Sequence, residues 1–390
     1  MAQTEIKPLR VLVVGMTDRI GGLETFLMSY CEPLFGRGIH FDFLCRFPVC
    51  SFQARIEEMG GRVFHICRRS RNPVRFYREI RTFFREHGRE YDVIWDNECM
   101  MNDLTPLQLA KRIGIPCRIY HSHNAANTAV GIKGKLQGML HRLHRRYADR
   151  YVTDFWACSE SAAQWGCPTR VIKRKLYRII RNAMNIDPFG YKPEVRRRVR
   201  QELDLEDAYA VGFVGQLTSA KNAGFLLDAF SRFLHSNPDA ALVLAGDGVE
   251  KTRLEKQAKR LDLEERVHFW GACDRIPELL QALDLFAMPS KTEGLGIAAV
   301  EAQISGLDCI LSDRFPAEVC FRNNVVFLPI DNAQEWAKAM EKMRYHGYSR
   351  TDGRDDAQQA GYDIKTQLGF VETLWRTKND SEISGVQISI

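Results

Sequence analysis

Two glutamates eight residues apart, Glu293 and Glu301, frame the segment Ser290-Lys291-Thr292-Glu293-Gly294-Leu295-Gly296-Ile297-Ala298-Ala299-Val300-Glu301-Ala302. An apolar, strand-like run at residues 285–289 leads into it, and a polar turn with two glycines follows. A helix of small residues then opens. Its first amides have no internal acceptors and carry partial positive charge, which suits an anion. Gly294 and Gly296 let a ligand approach the backbone. A phosphate flanked by hydroxyl-rich groups would use every part: amides for the phosphate, carboxylates for the hydroxyls. Glutamates at this spacing alone would be two solvated side chains; the turn between them argues for a site.

Other residues of the right chemistry stand at the ends of apolar runs. Lys221 follows Phe213-Val214-Gly215-Gln216-Leu217, and its ammonium could balance phosphate charge. Gly246 belongs to Ala245-Gly246-Asp247-Gly248, first of all a turn signal. His121 and His123 close the run Arg118-Ile119-Tyr120-His121-Ser122-His123-Asn124. No carboxylate or cysteine is spaced to complete a metal site with this pair. Gly21 and Gly22 follow the first apolar run, where a dinucleotide-binding protein would place its phosphate loop. Gly-x-Gly-x-x-Gly is absent there, which argues against nicotinamide or flavin.

These positions need a scaffold that brings strand ends together. Apolar, β-rich runs fall at residues 11–14, 41–45, 62–66, 91–95, 117–121, 155–159 and 178–181 in the first half. In the second half they fall at 210–215, 241–245, 266–270, 285–289, 308–311 and 325–328. Helical patterns fill most gaps. That alternation predicts an α/β fold with parallel sheets covered on both faces. Its 390 residues favour two or three domains. The polar stretch 185–206 reads as the connection between two Rossmann-like domains. Residues 361–375 read as a final helix.

Charge is unevenly spread. Residues 1–190 hold 30 Lys and Arg against 18 Asp and Glu, a net +12, while the remainder is −6. The first half is therefore expected to face something anionic. Two basic runs, 141–150 and 173–178, concentrate that charge. A solvated face is the bland alternative. Nucleic-acid binding ranks below anionic lipid, because no recognisable module or interleaved stacking aromatics accompany the charge. The 11 cysteines form no Cys-x-x-Cys pair and read as reduced thiols. No apolar stretch approaches the roughly 20 residues of a membrane span, and the N-terminus lacks a secretory pattern.

The segment 293–301 resembles the Glu-x7-Glu element of retaining nucleotide-sugar glycosyltransferases, family four with the GT-B fold. The continuation Glu301-Ala302-Gln303-Ile304-Ser305-Gly306 through Asp313 is similar to members that build exopolysaccharides and capsules. The resemblance runs from the first strand to about residue 378. It implies two facing Rossmann-like domains with a cleft between them. Residues 1–184 would bind acceptor and 185–361 the nucleotide-sugar. A helix at 362–378 would cross back to the first domain, and 379–390 would be a disordered tail.

The resemblance also implies roles. Glu293 would meet the donor sugar, Glu301 the ribose hydroxyls, and the amides around Gly294, Leu295, Gly296 and Ile297 the diphosphate. Lys221 would balance the charge that grows as the sugar leaves. His123 matches the family's active-site histidine, and His121 would stand behind it. Gly21 and Gly22 would let the helix start approach donor phosphate and acceptor, and Gly246 would lie near the nucleotide. Residues 270–275 match the loop bordering the base. Gln216 departs from the pattern, since the family usually has Arg there. A charge-assisted hydrogen bond contributes about 1.5–3 kcal/mol, so its loss would slow chemistry roughly ten- to a hundredfold. Three outcomes follow from Gln216: another cation replaces the arginine, the enzyme is slow, or the catalytic role is lost.

The implied activity is metal-independent, retaining hexosyl transfer from a nucleoside-diphosphate sugar, with UDP the expected nucleotide. The acceptor would be a glycan or a polyprenyl-diphosphate-linked sugar in surface polysaccharide synthesis. No cofactor is expected beyond the nucleotide-sugar co-substrate, and no metal. An anionic membrane surface is a further expected partner through the basic N-terminal domain, nucleic acid is not, and the expected location is cytoplasmic or peripheral on the inner membrane face. A nucleotide-sugar epimerase of the same fold and a non-catalytic nucleotide-sugar-binding member remain open alternatives.

Overall fold

The computed structural model describes residues 8–124, 131–273, 275–345 and 350–384. The chain divides into two compact units, Met1–Met184 with Ile364–Ile390, and Asn185–Asp363.

The first unit is built on seven strands: β1 (Leu9–Val14), β2 (Ile39–Cys45), β3 (Val63–His65), β4 (Val93–Glu98), β5 (Cys117–Ser122), β6 (Asp154–Ala157) and β7 (Tyr177–Ile179). They form one sheet in the order β3-β2-β1-β4-β5-β6-β7, and every pairing is parallel. Strands buried on both faces must be apolar throughout rather than alternating. β1 meets this with Val11, Leu12, Val13 and Val14 all fully buried. Its odd-numbered side chains enter one core cluster and its even-numbered ones the other.

The second unit repeats the plan with β8 (Tyr209–Val214), β9 (Ala240–Ala245), β10 (Val267–Gly271), β11 (Leu285–Met288), β12 (Asp308–Ser312) and β13 (Val325–Leu328). Their order is β10-β9-β8-β11-β12-β13, again parallel throughout. In each sheet the strand order therefore reverses once, between β1 and β4 and between β8 and β11. In open parallel sheets ligands bind at the carboxyl ends of the strands beside such a reversal.

The stretch 185–206 belongs to the second unit, and Pro193–Glu202 within it is helical. Pro193 at the first helical position favours it, and its arginines bind it to the second unit. Arg196 reaches the Leu283 carbonyl at 2.7 Å and Asp284 at 2.5 Å, and Arg200 the Ala282 carbonyl at 2.8 Å. The last helix spans Ile364–Ser384, so residues 379–384 extend it rather than forming a disordered tail. Nothing in that stretch breaks a helix before Gly385; residues 385–390 lie outside the described ones.

Candidate functional site

In the second unit the loops after β8, β9 and β11 are tied together by their backbones. Gly215 N–H donates to the Ala245 carbonyl at 2.9 Å, and Leu217 N–H to the Asp247 carbonyl at 2.8 Å. Gly246 has φ +143°, and a side chain there would overlap the Gly215 carbonyl oxygen, so only glycine lets the two loops close. Asn222 adopts a left-handed conformation ahead of the helix Ala223–Ser236. Its side-chain amide donates to the Pro289 carbonyl at 3.2 Å, while Lys291 N–H donates to the Ala220 carbonyl at 2.8 Å.

These ties bring Lys221 and Glu293 together. The Lys221 ammonium lies 2.5 Å from Glu293 Oε1, and the Ser290 hydroxyl donates to the same oxygen at 2.8 Å. The Glu293 side chain is only 7% exposed. Ser290 is fully buried, and its carbonyl accepts from the Ser312 hydroxyl at 2.6 Å. The carboxylate is thus fixed at the carboxyl end of β11. Gly296 precedes the helix Ile297–Ile304 with φ +81°, and a side chain there would run into the Phe315 ring. Gly294 differs: a β-carbon on it would meet nothing within 4 Å. Its surroundings are open to a ligand rather than packed. Leu295 buries its side chain, so only its backbone is offered.

Glu301 sits in the second turn of that helix, half-buried. Burial pushes its carboxyl up to about 7. Gln216 is exposed. The Lys291 ammonium stands 3.5 Å from the Ser219 hydroxyl, within the loop that carries Lys221. Sequence reasoning passed over Lys291 because one lysine in a polar turn has no signature of its own.

In the first unit, His123 follows β5, and its Nε2 lies 2.9 Å from Asn97 Oδ1 at the end of β4. The Asn97 amide donates to the Trp95 carbonyl at 3.0 Å, which turns Oδ1 toward the imidazole. His123 therefore donates through Nε2 and keeps Nδ1 as an acceptor. Burial holds its pKa down at about 3, so the ring is neutral at physiological pH. His121 packs against it with ring centres 4.1 Å apart, accepts from Trp95 Nε1 at 3.3 Å, and is likewise held neutral by burial. Gly21 and Gly22 open the helix Gly22–Phe35. Phe26 of that helix meets the His123 ring edge-on at 4.8 Å. Thr17 donates to the buried Glu24 at 2.6 Å, anchoring the glycine loop. Asn97 was not legible beforehand, because its neighbourhood with His123 comes from strand order. Among the described residues no three His, Cys, Asp or Glu side chains form a group that could hold a metal ion.

A cavity of about 490 Å³ also opens where β2 and β3 end, lined by Arg46, His65, Arg68, Arg71 and Arg75. Arg68 stacks over Phe47 at 4.4 Å. Arg46 reaches Glu98 at 2.6 Å.

Comparison with known proteins agrees with this architecture. Residues 195–359 match the family described as glycosyl transferases group 1, and residues 21–174 match the glycosyl transferase 4-like domain. The chain is 27% identical over 380 residues to EpsF of Bacillus subtilis (strain 168), which its name places among the glycosyltransferases. That match covers 96% of this chain and 98% of EpsF. It is 24% identical over 230 residues to the UDP-Gal:alpha-D-GlcNAc-diphosphoundecaprenol alpha-1,3-galactosyltransferase of Escherichia coli, covering 57% and 58% of the two. Among solved structures, Anabaena Alr3699/HepE in complex with UDP superimposes with a TM-score of 0.74 at 22% identity, covering 94% and 99%. Two Rossmann-ordered sheets and two matched families over most of the sequence lead to one assignment: the chain belongs to the group 1, family-four type of glycosyltransferases with the GT-B fold.

Proposed function

We propose that this glycosyltransferase moves a hexosyl unit, with retention and without a metal, from a UDP-sugar to a lipid-linked or glycan acceptor in surface polysaccharide synthesis. The observation that carries this reading is the Lys221–Glu293 pair beside the opening helix Ile297–Ile304. It sets a cation, a buried carboxylate and unsatisfied amides around one small volume. The diphosphate would take the amides of Gly294–Ile297 and draw on Lys221. Glu293 would then accept from the sugar hydroxyls and Glu301 from the ribose. The anomeric carbon–oxygen bond to the diphosphate breaks as the acceptor oxygen bonds to the same face. The acceptor proton passes to the departing phosphate oxygen, so no side-chain base is needed. Lys221 and the amides stabilise the charge that develops. Lys291 would supply the second cation that Gln216 does not. Donor and acceptor classes draw support from relatives: HepE has been seen with UDP and with UDP-glucose, and the Escherichia coli enzyme is named for a diphosphoundecaprenol-linked acceptor. The arginine-lined cavity beyond β2 and β3 suits such a diphosphate. An acceptor of this kind is presented at a membrane, where the chain would attach peripherally.

The test is nucleoside diphosphate release from a panel of UDP- and GDP-sugars, in EDTA and then with Mn²⁺, with a membrane-extract acceptor. Release in EDTA that Glu293→Ala abolishes supports the reading and names the donor. Conversion of the bare donor sugar without transfer would assign an epimerase instead. Binding without turnover of any donor would assign a non-catalytic role.

A further inference from the structure

The helix Gly131–Tyr147 is inverted relative to an ordinary surface helix. An amphipathic helix of a soluble domain turns its large apolar residues inward. Here the side facing the protein carries Gly134, Gly138 and His141, all buried. His141 accepts from Met101 N–H at 3.0 Å and lies 3.1 Å from the Trp165 carbonyl. His144 reaches the Met101 carbonyl at 3.0 Å, and Arg145 the Cys167 carbonyl at 2.5 Å. Four large apolar residues point outward: Leu136 is 56% exposed, Met139 59%, Leu143 49% and Tyr147 37%, while Leu140 is half-buried. Their spacing of three, four and four residues keeps them on one line along the helix.

Between and beside them lie Lys135, Arg142, Arg146 and Arg150, all exposed; the helix sequence 131–147 holds no Asp or Glu, and Asp149 just beyond it pairs with Arg170. Arg150 and Arg146 stack over the Tyr147 ring at 4.9 and 5.9 Å. Against the end of this helix a cavity of about 670 Å³ is lined by Arg142, Arg145, Arg146, Arg150 and Arg170. The adjoining segment adds Lys173, Arg174 and Lys175, and Leu176 at 59% exposure.

We infer that this face docks on an anionic lipid bilayer, with Leu136, Met139, Leu143, Tyr147 and Leu176 entering the interface and the arginines meeting lipid phosphates. An apolar stripe bordered by cations is the pattern of a helix lying in the membrane plane. No described helix is long and apolar enough to cross a membrane. Charge selects the occupant: a second copy of the chain would set arginine against arginine, whereas anionic headgroups neutralise them. The inference deepens the reading of a membrane-presented acceptor and rests on it for its purpose, though not for its test.

Flotation of the full chain with vesicles separates the possibilities. Binding is expected to phosphatidylglycerol-containing vesicles and not to pure phosphatidylcholine. The triple variant Leu136→Ser, Met139→Ser, Leu143→Ser should bind at least about tenfold more weakly, from the apolar transfer lost. Arg142→Glu with Arg146→Glu should abolish binding. These side chains are exposed, so folding should persist, and unchanged UDP-sugar turnover would show it. In the Leu143→Trp variant, indole emission should shift to the blue on anionic vesicles. Absence of flotation, wild-type flotation by the serine variant, or no emission shift would each overturn the inference. So would a dimer that the serine variant dissolves, since the face would then be an interface between copies. Donor turnover without vesicle binding sinks this inference alone; vesicle binding without turnover of any donor sinks the transferase reading alone.

Discussion

At the scale of single residues, Glu293 and Lys221 constrain one another. One carboxylate oxygen takes both the Lys221 ammonium and the Ser290 hydroxyl, so the acid is held in one pose before any donor arrives. Lys221→Ala should lower kcat about ten- to a hundredfold with a smaller change in donor KM, because the cation acts mainly on charge that develops as the sugar leaves. Steady-state kinetics on the donor found by the panel assay would check it. Lys291→Ala should also lower kcat, and adding Gln216→Arg should restore it; failure of that rescue would mean that Lys291 does not stand in for the missing arginine. Glu301 brings a pH dependence whose sign follows from its burial. Its folded pKa of about 7 lies above the ordinary 4.5, so the ligand-free fold favours the protonated form. That contribution to stability is fully present below 4.5 and is lost as pH rises through about 7. In the proposed role, two ribose hydroxyls would donate to Glu301 more strongly in its ionised form, whose oxygens both accept. Donor KM should therefore rise as pH falls below 7, by up to about tenfold per unit, and Glu301→Gln should flatten that profile.

At the scale of elements, the turns carry the site and the glycines shape the turns. Gly246→Ala forces a β-carbon into the Gly215 carbonyl from a left-handed backbone. The cost should be at least about 2 kcal/mol, roughly 4–8 °C in the melting temperature of a unit this size. Gly294→Ala meets open space, so it should leave the melting temperature within about 1 °C and raise donor KM instead. Calorimetry with and without UDP distinguishes the two. The contrast also marks what was legible in the sequence. Alternating runs announced the strands, and the glycines at 294 and 296 announced the turn between β11 and the helix Ile297–Ile304, because both depend on local pattern. Strand order did not appear in the sequence, since pairing of β1 with β4 joins residues about 80 apart. Without it, Asn97 could not be placed beside His123. The run 141–150 was legible as basic, but its inverted burial was not, since that depends on the Met101 N–H donating to His141 and on the Met101, Trp165 and Cys167 carbonyls taking polar contacts from below. Pro193–Glu202 hid in a polar stretch because arginine bonds to carbonyls, rather than apolar burial, fix much of its inner side.

At the scale of the whole molecule, the chain leaves its first unit at Met184, builds the second, and returns at Ile364 to complete the first. The returning helix is part of that first core. Trp375 is fully buried, stacks on Trp156 at 6.1 Å, and meets Trp95 and Phe41 edge-on at 5.6 and 5.9 Å. Truncating a buried tryptophan costs about 3–5 kcal/mol. Trp375→Ala should therefore weaken the first unit while leaving intact the turns that carry Lys221, Glu293 and Glu301. UDP at about a hundred times its Kd should still stabilise the second unit by about 2.7 kcal/mol. In scanning calorimetry the variant should show its first transition lowered and a second one that UDP continues to raise. Two transitions that fall together, with the UDP shift lost, would mean that the units unfold as one. The last helix would then support the donor site through the stability of the entire chain rather than through the first unit's core alone.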